Sequence, residues 1–169
     1  MAYTAATKHR NAQRMGGGEI VAFPMKASAV IYEGSMVLID ITDGYAVELP
    51  IDTTADTGDL FAGIAAETKT APAAGVVYIN VYVTGSFVMS FLNGTDTIAQ
   101  TDLGTAVYAD YTAGGTGRPW TVCKTGASAH DLLVGRIVEI IGTGVATTER
   151  AVRIRIDGYA GCQAAAAGA

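Results

Sequence analysis

The strongest pattern in the chain runs from Val76 to Leu92. Val77, Ile79, Val81, Val83, Phe87, Met89 and Phe91 share one parity, while Tyr78, Asn80, Tyr82, Thr84, Ser86 and Ser90 occupy the other. A period of two places successive side chains on opposite faces of a strand, so this stretch predicts an extended segment with one buried face. Gly85 interrupts the apolar parity and predicts a bend or bulge in its middle. The segment is long enough to pass from one sheet to another.

Shorter extended segments surround it. Ile20-Val21-Ala22-Phe23 leads into Pro24, and Met36 to Ile41 reads as a strand. Thr42-Asp43-Gly44 is a turn signal, which predicts that Tyr45 to Leu49 pairs back as a hairpin. Leu60 to Ala65, Ala106 to Ala109 and Trp120 to Lys124 continue the series. Leu132 to Ile141 is apolar on both parities, which predicts a central strand with Arg136 as its anomaly. Val152, Ile154 and Ile156 are expected to face inward, with Arg153, Arg155 and Asp157 outward. There are 21 glycines and 4 prolines, which favours tight turns between short strands, and no repeat at a fixed period is visible. The predicted class is all-β, with a β-rich body over residues 19–157, a basic arm over 1–18 and an Ala/Gly-rich tail over 158–169.

Composition adds two points. Half of the 169 residues are hydrophobic and 16% are charged, against a usual charged share of about 25%. Both a surface partly buried against partners and a small Ala/Gly-rich β fold account for that shortage. Net charge is −5, unevenly spread: Lys8, Arg10 and Arg14 lie in the first sixteen residues without an acid, leaving eight basic and sixteen acidic residues elsewhere. Such an arm suits an acidic surface outside its own domain, and its charge is too small to predict a nucleic-acid partner. Gly16-Gly17-Gly18 reads as a flexible hinge at its base. No run approaches the roughly 18 apolar residues of a membrane helix, so no membrane partner is expected. The start, Met1-Ala2-Tyr3-Thr4, lacks a signal-peptide core, which predicts production in a reducing cytoplasm.

Catalytic chemistry is sparse. His9 lies in the arm and His130 beside Asp131 in a turn, where adjacent side chains diverge and do not form an acid–base pair. Cys123 and Cys162 match no metal or redox spacing, and Cys123 reads as a buried, inert thiol. Asp52, Asp56 and Asp59 lack the central Gly and terminal Glu of an EF-hand and read as a solvated acidic loop. Gly114-Gly115-Thr116-Gly117-Arg118 lacks the Lys-Ser/Thr ending of a phosphate loop and reads as a hairpin loop. Tyr45, Tyr78, Tyr82 and Tyr108 sit in neutral or acidic segments, which suits interface or barrel-surface aromatics better than base-stacking platforms. No enzyme, cofactor or metal is predicted.

The order of signals carries one resemblance. Glu33-Gly34-Ser35-Met36-Val37 pairs towards Tyr45-Ala46-Val47, followed by Phe61-Ala62-Gly63-Ile64-Ala65 and Val81-Tyr82-Val83-Thr84-Gly85-Ser86-Phe87. Leu103-Gly104-Thr105-Ala106-Val107-Tyr108-Ala109-Asp110 and Leu133-Val134-Gly135-Arg136-Ile137-Val138 complete it. Over roughly Val21 to Asp157 this succession resembles the capsid cement, or head decoration, proteins of tailed bacteriophages. The resemblance implies a compact β-barrel or β-tulip-like body with an extended N-terminal arm, a homotrimer, and no catalytic site. It implies a place on the outside of the virion, on an expanded capsid, with the major capsid protein as partner. Tyr3, Lys8, Arg10 and Arg14 would then be the capsid-binding residues of the arm. Two other readings stand beside it. One is a β-barrel ligand- or glycan-binding module, for which Trp120, Tyr108 and Tyr111 are the candidate aromatics; the other is a different virion subunit such as a tail-tube protein.

Overall fold

A computed structural model describes residues 18–49, 59–92, 98–109, 121–124, 132–141 and 149–157. Twelve strands make up nearly all of its regular structure. In chain order they are β1 (Ile20–Pro24), β2 (Val30–Ile31), β3 (Met36–Ile39), β4 (Ala46–Glu48), β5 (Leu60–Ala65) and β6 (Lys69–Thr70). β7 (Tyr78–Tyr82), β8 (Thr84–Leu92), β9 (Ala106–Ala109), β10 (Thr121–Cys123), β11 (Leu133–Ile141) and β12 (Glu149–Asp157) follow, with one 3-10 turn at Gln100–Asp102.

The strands form two lobes. In the first, a sheet of order β1-β7-β5-β3-β4 curls until Met25 bridges Ala46 in parallel, and the β2-β6 ribbon lies beside it. The second is a closed barrel of order β10-β8-β12-β11-β9, its seam made by the parallel pair β10–β8. The all-β class and the barrel agree with the sequence reading.

The alternating run from Val76 to Leu92 joins the lobes. β7 belongs to the sheet and β8 to the barrel, with only Val83 between them. Gly85 pairs with Ile156 without a register shift, so no bulge forms there; its φ of +135° is a backbone conformation that favours glycine, and a side chain there would press on the Phe87 ring. Beyond it the apolar parity resumes. Phe87 stands opposite Ile154 and Met89 opposite Val152, all four buried in the barrel. Burying a side chain such as Phe87 contributes about 1.5–3 kcal/mol.

β3 and β5 are buried on both faces, which explains their continuous apolar sequence. Met36 and Leu38 join the core shared with the barrel, whereas Val37 joins a second core inside the curled sheet with Met25, Ile31, Ile79 and Val81. In β5 the register skips Ala62, because Phe61 pairs with Leu38 and Gly63 with Val37. That extra residue lets Phe61 and Ile64 both reach the barrel side while Ala62 and Ala65 reach the other.

β11 departs from its expectation. It is central, between β9 and β12, but only one of its faces is covered. Two register shifts change which parity points inward: one between Leu133 and Gly135 against β9, another between Ile137 and Glu139 against β12. Val134 and Ile137 are therefore both buried, while Val138, the extra residue of the second bulge, is 44% exposed. Apolar residues on both parities record the bulges rather than a strand covered on two sides.

Candidate functional site

Among the described residues no group of three or more His, Cys, Asp and Glu side chains converges as a metal site. His9, His130, Cys162, Trp120, Tyr111 and the 114–118 loop lie outside the described residues. Cys123 is buried in β10 at the barrel seam, as its sequence context predicts.

The barrel interior is filled. Phe87, Phe91, Val107, Val122, Val134, Ile137, Val152 and Ile154 are each at most 1% exposed. An eight-stranded barrel is just wide enough to be filled by its own side chains or to hold one small ligand. A five-stranded barrel is narrower, and among the described residues these side chains occupy its interior. Tyr108 pairs with Leu133 on the barrel wall and is half-buried, so it forms no exposed platform.

The surface is more informative. Tyr3, Lys8, Arg10 and Arg14 lie outside the described residues, but the root of the arm is defined. Gly18 packs against the backbone of Thr84 so closely that a Cβ would overlap the Thr84 carbonyl oxygen. Next to it the Glu19 N–H donates to Thr84 Oγ1 at 2.8 Å, and the Glu19 carbonyl accepts from the Val83 N–H at 2.9 Å. The last glycine of the triplet is thus required for close approach, a role that the hinge reading missed. Gly18 and Glu19, at the base of the predicted arm, are therefore held at the crossing from β7 to β8.

β1 begins at that root, and among the described residues no strand pairs with Ile20–Pro24 on the side away from β7. The Val83 N–H bonds to Glu19, and the Met25 N–H donates to the Val77 carbonyl at 2.7 Å, so odd-numbered residues of this strand face β7. Antiparallel geometry then directs the backbone groups of Ile20 and Ala22 to the opposite edge. Pro24 has no N–H to present there, a usual way of blunting an edge. The outer face shared by β1 and β7 is largely apolar: Ile20 is 48% exposed and Tyr78 54%, with Val76, at 58%, just before β7. Tyr82, opposite Ile20, is half-buried, its ring centroid 5.8 Å from that of Phe87.

Charged groups form small, separated clusters. The Lys26 ammonium lies 2.6 Å from Asp40 Oδ2 and 3.0 Å from Asp43 Oδ2. Hydrogen bonds from Lys26 and from the Thr42 backbone hold the Asp40 carboxyl below its ordinary range, and the two carboxylates raise Lys26 in turn. Asp102 accepts from the Ala99 N–H at 2.6 Å and pairs with Lys124 at 3.2 Å, which likewise lowers it. Asp59 corrects the sequence reading of a solvated acidic loop. It is buried, and its Oδ1 accepts the Ile41 N–H at 3.0 Å; Asp52 and Asp56 lie outside the described residues.

The outer wall of the barrel carries three described arginines. Arg153 is bound to Glu139 at 2.7 Å, and Arg155 to Asp157 at 2.7 Å. Arg136 stands directly opposite Arg155, and its Nη1 donates to the Gly104 carbonyl at 3.0 Å. Their juxtaposition was invisible in the sequence, because it depends on the register that the β11 bulges set. No family model, curated protein or solved structure matches the chain.

Proposed function

We propose that this chain is a non-enzymatic structural subunit that cements the outer surface of an expanded phage capsid, acting as a homotrimer and stabilising joints between major capsid proteins. The observation that carries the reading is the position of the arm root. The segment bearing Lys8, Arg10 and Arg14 precedes a Gly18 locked on Thr84, beside β1, the first strand in the order of its sheet. An arm tethered at a fixed point of a rigid β body can reach a neighbouring subunit while the body stays folded. Added as a strand to an exposed sheet edge, it would bind mainly through its backbone, with Tyr3 and the three cations supplying side-chain contacts. Ile20, Val76 and Tyr78 offer apolar area for neighbouring copies. Attachment at several points then adds avidity to individually weak contacts.

Co-sedimentation with capsid shells lacking the protein tests this directly, comparing the full chain with one missing residues 1–17. Saturable binding that disappears on truncation is expected. Absence of binding to any shell by the full chain would overturn the proposal, whereas binding that survives truncation would move the grip to the β body.

A further inference from the structure

We infer that Arg136 and Arg155 form a second contact surface, a two-arginine clasp on the barrel wall that receives a carboxylate from an acidic segment of a partner protein. The proposal goes beyond the arm and does not depend on it. Its basis is a juxtaposition that folding alone disfavours: like charges directly opposite on adjacent antiparallel strands repel, with Cβ atoms only about 5 Å apart. The backbone nevertheless enforces it. At Gly135 a Cβ would overlap the Arg155 carbonyl oxygen, so glycine is required for β11 to pass this close to β12 beside the pair.

Two described acids lie nearby, and each is already paired. The Val138 bulge places Glu139 opposite Arg153, where it is bound, and not beside Arg136. Arg136 donates to a backbone carbonyl. Among the described residues Arg155 pairs with Asp157, two residues further along its own strand, with both side chains about two-thirds exposed, a pairing that solvent and salt weaken readily. The row in which the arginines lie continues through Ala106 on one side and Ser86 on the other, both small. Two guanidinium groups over low neighbours present planar donors suited to bidentate capture of a carboxylate. With Arg153 already bound to Glu139, a pair of arginines on an acidic protein matches one or two carboxylates better than the regular phosphate array of a nucleic acid.

The test uses the full chain and a hexaglutamate peptide, following the arginine Nε–Hε resonances by NMR, with Arg136→Gln and Arg155→Gln providing assignments. Saturable shifts of both resonances are expected. Either substitution should weaken the peptide about tenfold, the effect of losing one charge-assisted partner. Lys69→Gln, in the other lobe, should leave the affinity unchanged. Arg136→Gln/Arg155→Gln should also melt no lower than the parent, since it removes a repulsive pair. The inference fails if no saturable shift occurs, if the double variant binds the peptide as well as the parent, or if inorganic phosphate at matched ionic strength binds as tightly as the peptide.

Discussion

Lys26 and Asp40 are joined at 2.6 Å across the end of the hairpin formed by β3 and β4, with Asp43 on the other side of the ammonium. The pair fastens the chain just after β1 to the turn between two other strands. It reinforces the place where the curled sheet nearly closes, since the Lys26 N–H also donates to the Ala46 carbonyl at 3.0 Å.

A pH dependence follows. Asp40 is held below its usual value near 3.8, so its contribution is present above that value and is lost as pH falls through the lowered one. Lys26 is raised above 10.5, so its contribution is complete below that value and fades only at more alkaline pH. Asp40→Asn should lower stability at pH 7, and its difference from the parent should shrink as pH is taken well below 3.8. Urea titrations at several pH values check this, and a difference independent of pH would remove the ion pair as its cause.

Gly63 and Gly44 both have positive φ, at +144° and +75°, but in different surroundings. A Cβ on Gly63 would overlap the Tyr82 carbonyl, whereas around Gly44 there is open space. Gly44→Ala should cost about 1 kcal/mol, the intrinsic penalty of the left-handed region. Gly63→Ala should cost about 3 kcal/mol or more, because two strands must also move apart. Chemical denaturation of the two variants gives the comparison, and equal losses would count against close approach as the reason for Gly63.

Ile137 and Val138 are adjacent, both apolar, and separated in role by the bulge. Ile137→Ala should destabilise by roughly 2–5 kcal/mol, since it opens a cavity in the barrel. Val138→Thr should change stability by less than about 0.5 kcal/mol, because the side chain faces outward. Thermal melts of both variants decide whether the bulge lies where the register places it.

Ser35 is fully buried, and among the described residues its hydroxyl has no hydrogen-bond partner. Removing an unsatisfied buried hydroxyl is neutral or favourable, so Ser35→Ala should leave stability unchanged or raise it by about 1 kcal/mol. A clear loss on denaturation would mean that the hydroxyl is bonded in solution.

In the arm, replacing Lys8, Arg10 and Arg14 together with Ser should weaken shell attachment, most strongly at low salt, and leave the melting of the body unchanged. Co-sedimentation across a salt series measures this, and unchanged attachment at moderate salt would exclude the arm's charges as its grip.

What the sequence made legible was whatever depends on local periodicity. The alternation from Val77 to Phe91, with its break at Gly85, anticipated a strand that passes from one sheet to another, and the signals around Thr42-Asp43-Gly44 anticipated the β3–β4 hairpin. Val152, Ile154 and Ile156 face inward as their spacing requires. Features that depend on pairing between distant segments stayed hidden. The bulges of β5 and β11 insert single residues that leave the apolar count of their strands unaltered, so no pattern distinguishes Ile137 from Val138. Asp59 looked like one acid of a polar loop because its partner, the Ile41 N–H, lies 18 residues away. Arg136 and Arg155 meet only once the register is known. Tyr3, Lys8, Arg10 and Arg14 were singled out by the lack of acids around the arm's cations and by a family resemblance, and they lie outside the described residues.

The root of the arm also determines how force would enter the molecule. Tension along the chain before Gly18 is resisted by the bonds between Glu19 and the Val83–Thr84 backbone and hydroxyl. Thr84 opens β8, whose ladder with β12 continues without a register shift from Asp157 to Glu149. A pull on the arm is therefore passed through Thr84 to the longest uninterrupted pairing in the barrel, beside the crossing that joins the two lobes.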